Sequence, residues 1–172
     1  MMKLVGALLI LLAGTLIGFQ QAARFADRPK QLRQLAHALQ RLETEIGFGH
    51  TPLPEALERT AESTEAPLDS LFRDAAAGLW SGEALSFQQS WELAARSRWP
   101  ETSMKNSELG IMLRLGSSLG ISDKEDQMKH IRLTLLQLKS EEDAAREDQR
   151  RYEKMWKSLG ALLAVLIIIL MV

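Results

Sequence analysis

Residues 122–172 read SDKEDQMKHIRLTLLQLKSEEDAAREDQRRYEKMWKSLGALLAVLIIILMV, and this stretch decides the fold class. Ser122-Asp123-Lys124-Glu125 has the pattern of a capping box, in which hydroxyl and carboxylate each reach the other residue's backbone N–H. Neither Gly nor Pro follows until Gly160. One helix is therefore expected from Asp123 into the apolar tail, about 75 Å long at 1.5 Å per residue. Met128, Ile131, Leu135 and Leu138 keep three-and-four spacing and form its apolar stripe, continued sparsely by Ala145 and Tyr152. Residues 141–151 are mostly charged, and Glu142 with Arg146 and Glu147 with Arg151 are favourable i,i+4 pairs. A helix so charged can cross water unsupported. The expectation is a strut outside the bundle contact, with Ala145 in it, that runs straight into the tail.

That tail, residues 158–172, has no charge, and its last dozen residues have no polar side chain. As a helix it would span about 22 Å, short of a usual crossing. A buried core helix is the competing reading. Uniformly apolar faces suit lipid better, and Trp156 and Lys157 suit a headgroup layer. Local thinning, or snorkelling by Lys154 and Lys157, would cover the shortfall. At the other end residues 4–23, beginning LVGALLILLAGTLIGF, are also uncharged and would span about 30 Å. A cleaved signal peptide competes here, since Lys3 precedes an apolar core. The sequence FQQAARF over residues 19–25 supplies no good cleavage site, so a retained anchor is expected. Arg24, Arg28, Lys30 and Arg33 follow the first segment, and Arg150, Arg151, Lys154 and Lys157 precede the second. The positive-inside rule then places residues 24–157 in the cytoplasm and both termini across the membrane. The expected division is a membrane helix over 1–23, a helical bundle over 24–140, the strut over 141–157 and a second membrane helix over 158–172.

Between the ends the pattern is helices joined by short breaks. Leu32, Leu35, Ala36, Leu39, Leu42 and Ile46 make one stripe on a helix starting at Pro29 and ended by Gly47 and Gly49. Thr51 is placed to cap a second helix with Pro52 in its first turn and Leu53, Ala56 and Leu57 on its apolar face. Pro67 starts a third, with Leu68, Leu71, Phe72, Ala75 and Leu79, stopped by Gly82. Phe87, Trp91, Ala94 and Ala95 outline a fourth, closed by Trp99-Pro100. Asn106 stands as the cap of a fifth, which buries Leu109, Met112, Leu113 and Gly116 and ends at Gly120. No run resembles a strand, and no internal repeat is evident. The fold expected is all-α.

Composition limits what such a chain does. Its charged fraction of 25% and apolar fraction of 46% exclude wholesale disorder. Of 21 Lys and Arg only Lys3 lies outside residues 24–157, so that stretch carries 20 basic against 22 acidic residues. Bulk charge this balanced excludes a nucleic-acid binder, which needs a basic surplus or face. The absence of cysteine excludes disulfides, thiolate catalysis and Cys-ligated zinc. His37, His50 and His130 lie in different segments, none with a second ligand at metal spacing; His130 can pair with Asp126 at the surface. Gly47-Phe48-Gly49 and the pair Gly116 and Gly120 lack the strand-then-helix context of a phosphate loop and read as helix terminators. Ser117, Ser118 and the carboxylates give no nucleophile with its base. Trp80, Trp91 and Trp99 read as core. No catalytic, cofactor or metal site is expected, and the residues alone describe a membrane-anchored helical interaction module. The alternative is a tail-anchored helical scaffold or signalling protein unrelated to transport, which would need one long self-pairing helix; the breaks at Gly49, Pro67, Gly82, Pro100 and Gly120 argue against it. A small membrane hydrolase is the enzyme alternative.

Several segments, read in order, resemble one family. RPKQLRQL over residues 28–35, LETEI over 42–46 and GHTPLPEAL over 49–57 are similar to the first half of the stage III sporulation protein AB family. LGSSLG over 115–120, residues 123–127, His130-Ile131 and RYEKMWKSLG over 151–160 are similar to the second half. Residues 58–106 match more loosely. The GxTPL stretch also resembles the cytoplasmic domain of the type II secretion F family, the inner-membrane platform of secretion and pilus machines. The resemblance implies an antiparallel helical bundle flanked by two membrane helices. It implies a non-enzymatic part in the channel-like complex that links mother cell and forespore during endospore formation. It also implies residence in the mother-cell-derived outer forespore membrane, with the middle domain facing the mother-cell cytoplasm. Implied partners are the lipid bilayer, the other stage III sporulation A-operon proteins including their secretion-type ATPase, and a second copy of the chain, with no nucleic acid and no cofactor. The role of membrane adaptor for the ATPase is analogy at the level of fold.

Overall fold

The computed structural model describes residues 2–48, 51–81, 86–120 and 123–171; the side chains of residues 2–22, 24, 153, 154 and 156–171 lie outside that description. Among the described residues six α-helices follow one another: α1 (Met2–Phe48), α2 (Leu53–Glu62), α3 (Leu68–Trp80), α4 (Phe87–Arg98), α5 (Asn106–Ser118) and α6 (Lys124–Met171). A 3-10 turn over Trp99–Glu101 continues α4, and no strand occurs among the described residues.

Two long helices frame the molecule. On α1 the stripe Leu32, Leu35, Leu39, Leu42 and Ile46 is buried, and Ile131 and Leu138 of α6 belong to the same core. The pairing is antiparallel. Phe25 stacks on Tyr152, Arg33 reaches Glu142 and Glu43 reaches Arg132, so partner numbers fall on α6 as they rise on α1. The four shorter helices pack in sequence, α2 on α1 and α3, α4 on α3 and α5, α5 on α6.

At the centre of the short helices sits Trp91, fully buried, edge-on to Phe72 and tilted against Phe87. Its indole N–H donates to the Met112 carbonyl at 2.7 Å, which satisfies the one polar atom a buried indole brings. Gly116 is what allows the approach: a Cβ there would lie 2.1 Å from Trp91 Cδ1. Gly120 ends the α5 segment at φ 83, a left-handed conformation that glycine adopts without strain.

Several expectations need correction. The helix expected to start at Pro29 is the second half of α1, which passes through Pro29 unbroken. Proline in a helix interior forfeits one hydrogen bond and crowds the preceding turn. Packing along α6 on both sides of it offsets that here. Gly47 lies inside α1, and Gly49, His50 and Gly82 fall outside the described residues. Thr51 does not cap α2: its hydroxyl donates to Glu45 Oε2 at 3.2 Å, and Pro52 holds the cap position without a side-chain bond. Asn106 is already helical, and the preceding N–H, that of Lys105, donates to the Glu108 carboxylate. At α6 the cap is Asp123, whose Oδ1 accepts from the Asp126 N–H at 2.9 Å, and Ser122 is outside the described residues.

The largest correction concerns residues 141–151. They do not cross water unsupported. Ala145 is 1% exposed and Glu142 is buried, because this part of α6 lies along α1 and α5. A proline at 145 would therefore disturb packing as well as helix continuity. The Glu142–Arg146 pair forms, whereas Glu147 and Arg151 form none among the described residues.

Among the described residues no helix is long and apolar enough to cross a membrane. The side chains of the two segments on which that expectation rests, residues 4–22 and 158–171, lie outside the description.

Candidate functional site at the junction of the long helices

The seam between α1 and α6 changes character along its length. Around Leu35, Leu39 and Ile131 it is apolar, and beyond Leu32 it is ionic. Arg28 stands at the change. Its side chain is 5% exposed, and its guanidinium serves three carboxylates from two other helices. Nε donates to Glu108 Oε1 of α5 at 2.9 Å, and Nη2 makes a second, shorter bond to the same oxygen. Nη2 also donates to Glu141 Oε2 at 2.9 Å and Nη1 to Asp148 Oδ2 at 3.3 Å, both on α6. A planar cation with five donors suits this branching, which a lysine could not reproduce.

Glu108 is fully buried and does two things. One oxygen takes Arg28; the other accepts the Lys105 backbone N–H at 2.5 Å and so closes the first turn of α5. Lys105 in turn donates from Nζ to Asp148 at 3.2 Å. One carboxylate thus ties a helix start to a charge on a different helix. A second hub lies one residue further along α6, where Glu142 accepts from Arg33 at 3.1 Å, Lys139 at 3.2 Å and Arg146 at 2.5 Å. Burial pushes the Glu142 carboxyl up, but the hydrogen bonds from Arg33, Lys139 and Arg146 outweigh it and hold it below the usual glutamate range.

Toward the chain ends Phe25 and Tyr152 stack with ring centroids 3.7 Å apart. Beside them Lys30, Arg33, Arg146 and Arg150 line a groove of about 410 Å³ between α1 and α6.

Such a junction ties three helices together through one guanidinium. His37 is exposed and His130 half-buried on separate helices, and among the described residues no His or carboxylate cluster could hold a metal. Trp91 and Trp99 are core, the latter donating to the Lys105 carbonyl at 3.0 Å. Trp80 is 62% exposed, contrary to the core reading. Sequence reading missed the whole Arg28 junction. Its partners are 80, 113 and 120 residues away, so no local pattern signals them.

The family model for stage III sporulation protein AB matches residues 3–172. A relative from Bacillus subtilis (strain 168), named stage III sporulation protein AB, is 41% identical over 171 residues, 99% of each chain. A solved structure of stage III sporulation protein AB (SpoIIIAB) superposes with a TM-score of 0.68 at 38% identity, covering 73% of this chain and 98% of that one. None of these names denotes a reaction. The all-helical architecture and the full-length match agree, and the chain belongs to the stage III sporulation protein AB family.

Proposed function

We propose that this protein is a non-enzymatic, membrane-anchored adaptor in the complex that links mother cell and forespore, and that it presents its helical bundle to a secretion-type ATPase. The observation that carries the reading is the junction itself. Arg28 and its three carboxylates bind α5 to the paired long helices, so a load on the short helices is delivered to α1 and α6 together. The antiparallel pairing supports the anchoring half of the reading, because it leads the uncharged stretch before Arg24 and the one after Lys157 away from the same end of the bundle. Family membership supports a place in sporulation.

In this reading residues 24–157 face the mother-cell cytoplasm and both apolar segments cross the outer forespore membrane. The native chain has no cysteine, so one can be introduced cleanly. A Thr64→Cys variant is shielded from an impermeant thiol reagent in intact cells, while one at Met1 or Val172 is reached. The reverse pattern overturns the orientation and the adaptor role. Cross-linking the full chain in sporulating cells, followed by pull-down, recovers the ATPase. Recovery of the other partners without it leaves a scaffold in place of the adaptor.

A further inference from the structure

We infer that the basic groove between α1 and α6 is a binding site for the phosphate of an anionic phospholipid headgroup. The site is built on a floor of Ala26 and Pro29, with Lys30 and Arg33 on the α1 side and Arg146, Gln149 and Arg150 on the α6 side. Its volume, about 410 Å³, admits a headgroup. Two carboxylates offset part of the charge: Asp27 lies 3.5 Å from Lys30, and Glu142 takes Arg33 and Arg146. Four cations against two anions leave a surplus of two, and Arg150 has no carboxylate partner among the described residues. The guanidinium donors that Glu142 does not occupy remain available for a second oxyanion, which planar bidentate geometry favours.

Position supplies the second argument, and it rests on the membrane anchoring proposed above. Ala23 is the last residue of the uncharged stretch. From Ala26 to Arg33 the groove runs about 5 to 15 Å along α1 from that point. The headgroup layer extends about 5 to 8 Å beyond the hydrocarbon, so the Ala26 end of the groove lies in it, and long Lys and Arg side chains farther along reach back toward it. Basic pockets between helices just outside the hydrocarbon hold anionic headgroups by this combination of charge and enclosure. A free phosphate ion offers the same oxygens but no acyl chains to lie along the apolar segments above.

The test uses the full chain and two variants. Lys30→Gln with Arg150→Gln removes the two cations that do not bind Glu142 and leaves the Glu142 hub intact. Arg73→Gln with Arg114→Gln makes the same charge change on α3 and α5. Flotation with vesicles of phosphatidylcholine alone first tests anchoring, and all three proteins are expected to float. Native mass spectrometry in neutral detergent then measures retained phosphatidylglycerol, with phosphatidylcholine as reference and inorganic phosphate as competitor. The wild type and the remote variant are expected to retain phosphatidylglycerol selectively, and the groove variant to retain roughly tenfold less. Equal retention of the two lipids, equal loss in both variants, or full displacement by inorganic phosphate overturns the proposal. Failure of the wild type to float with neutral vesicles removes the anchoring reading and the proposal with it, whereas flotation without selectivity removes the proposal alone.

Discussion

The two halves of the α1–α6 seam hold the same pair of helices together by opposite means. In one half Leu35, Leu39, Leu42, Ile131 and Leu138 are buried with no polar atom among their side chains. In the other, Arg28 of α1 meets Glu141 and Asp148 of α6 together with Glu108 of α5, and Arg33 meets Glu142, with every described buried side-chain polar atom satisfied. Apolar burial stabilises roughly in proportion to area and tolerates small changes of geometry. A buried ionic cluster is weak evidence for net stability, because desolvation opposes the attraction, yet removing one partner strands the others.

The comparison predicts its own largest effect. Arg28→Met leaves Glu108 buried without its cation and should destabilise the full chain by about 3–5 kcal/mol, read as a lowered melting temperature in circular dichroism. Adding Glu108→Gln, which removes the stranded charge and keeps an acceptor for the Lys105 N–H, should restore part of that loss. If the double variant is no better than the single one, the cluster contributes real stability and the two halves do not differ in this way. In the apolar half Leu39→Ala should lower stability by about 2–5 kcal/mol with no such rescue, since a cavity remains.

A pH series separates the halves without mutation. Glu142 is held below the usual glutamate range by Arg33, Lys139 and Arg146 against the opposing effect of burial. Its unfolded state therefore takes up a proton first as pH falls. The stabilisation is fully present above the unfolded value and lost as pH drops through the folded one. The Glu142 contribution should hold from neutral to about pH 4.5 and be lost below it, seen as a falling melting temperature, and Glu142→Gln should flatten part of that slope. The smallest effect is expected at Arg132, which meets Glu43 at the apolar end but is 68% exposed at its side chain. Arg132→Gln should change stability by less than about 1 kcal/mol, within the range of surface pairs.

What the sequence made legible follows the same division. Helical stripes such as Leu32 to Ile46 could be read because burial imprints a three-and-four period on neighbouring residues. Caps were harder. Thr51 and Asn106 are sound cap residues, but Glu45 and Glu108 redirected the local hydrogen bonds. The capping box at Ser86 and Gln89 is formed by polar residues beside the apolar stripe, so the spacing of Phe87, Trp91, Ala94 and Ala95 does not signal it. The charged run 141–151 reads as solvated because its partners Arg28, Arg33 and Lys105 are remote in sequence; charge alone does not distinguish a wet face from a paired one. Trp80 and Trp91 show the same limit for aromatics, one exposed and one central.

Arg28 also fixes how far α6 can slide. An apolar seam is nearly blind to a seven-residue shift, since Ile131, Leu138 and Ala145 would exchange places with little change in character. The ionic half is not blind. Moved by one heptad, Arg28 would face Thr134 and Glu141, or Asp148 and Met155, and lose one of its two α6 carboxylates either way. Arg33 would exchange Glu142 for Leu135 or Gln149. A single polar residue in a helix seam can select one alignment among several of similar apolar content. Here the charges act as the notches of a key, admitting one setting of the two helices, and a pull on either is transmitted to the other without slip.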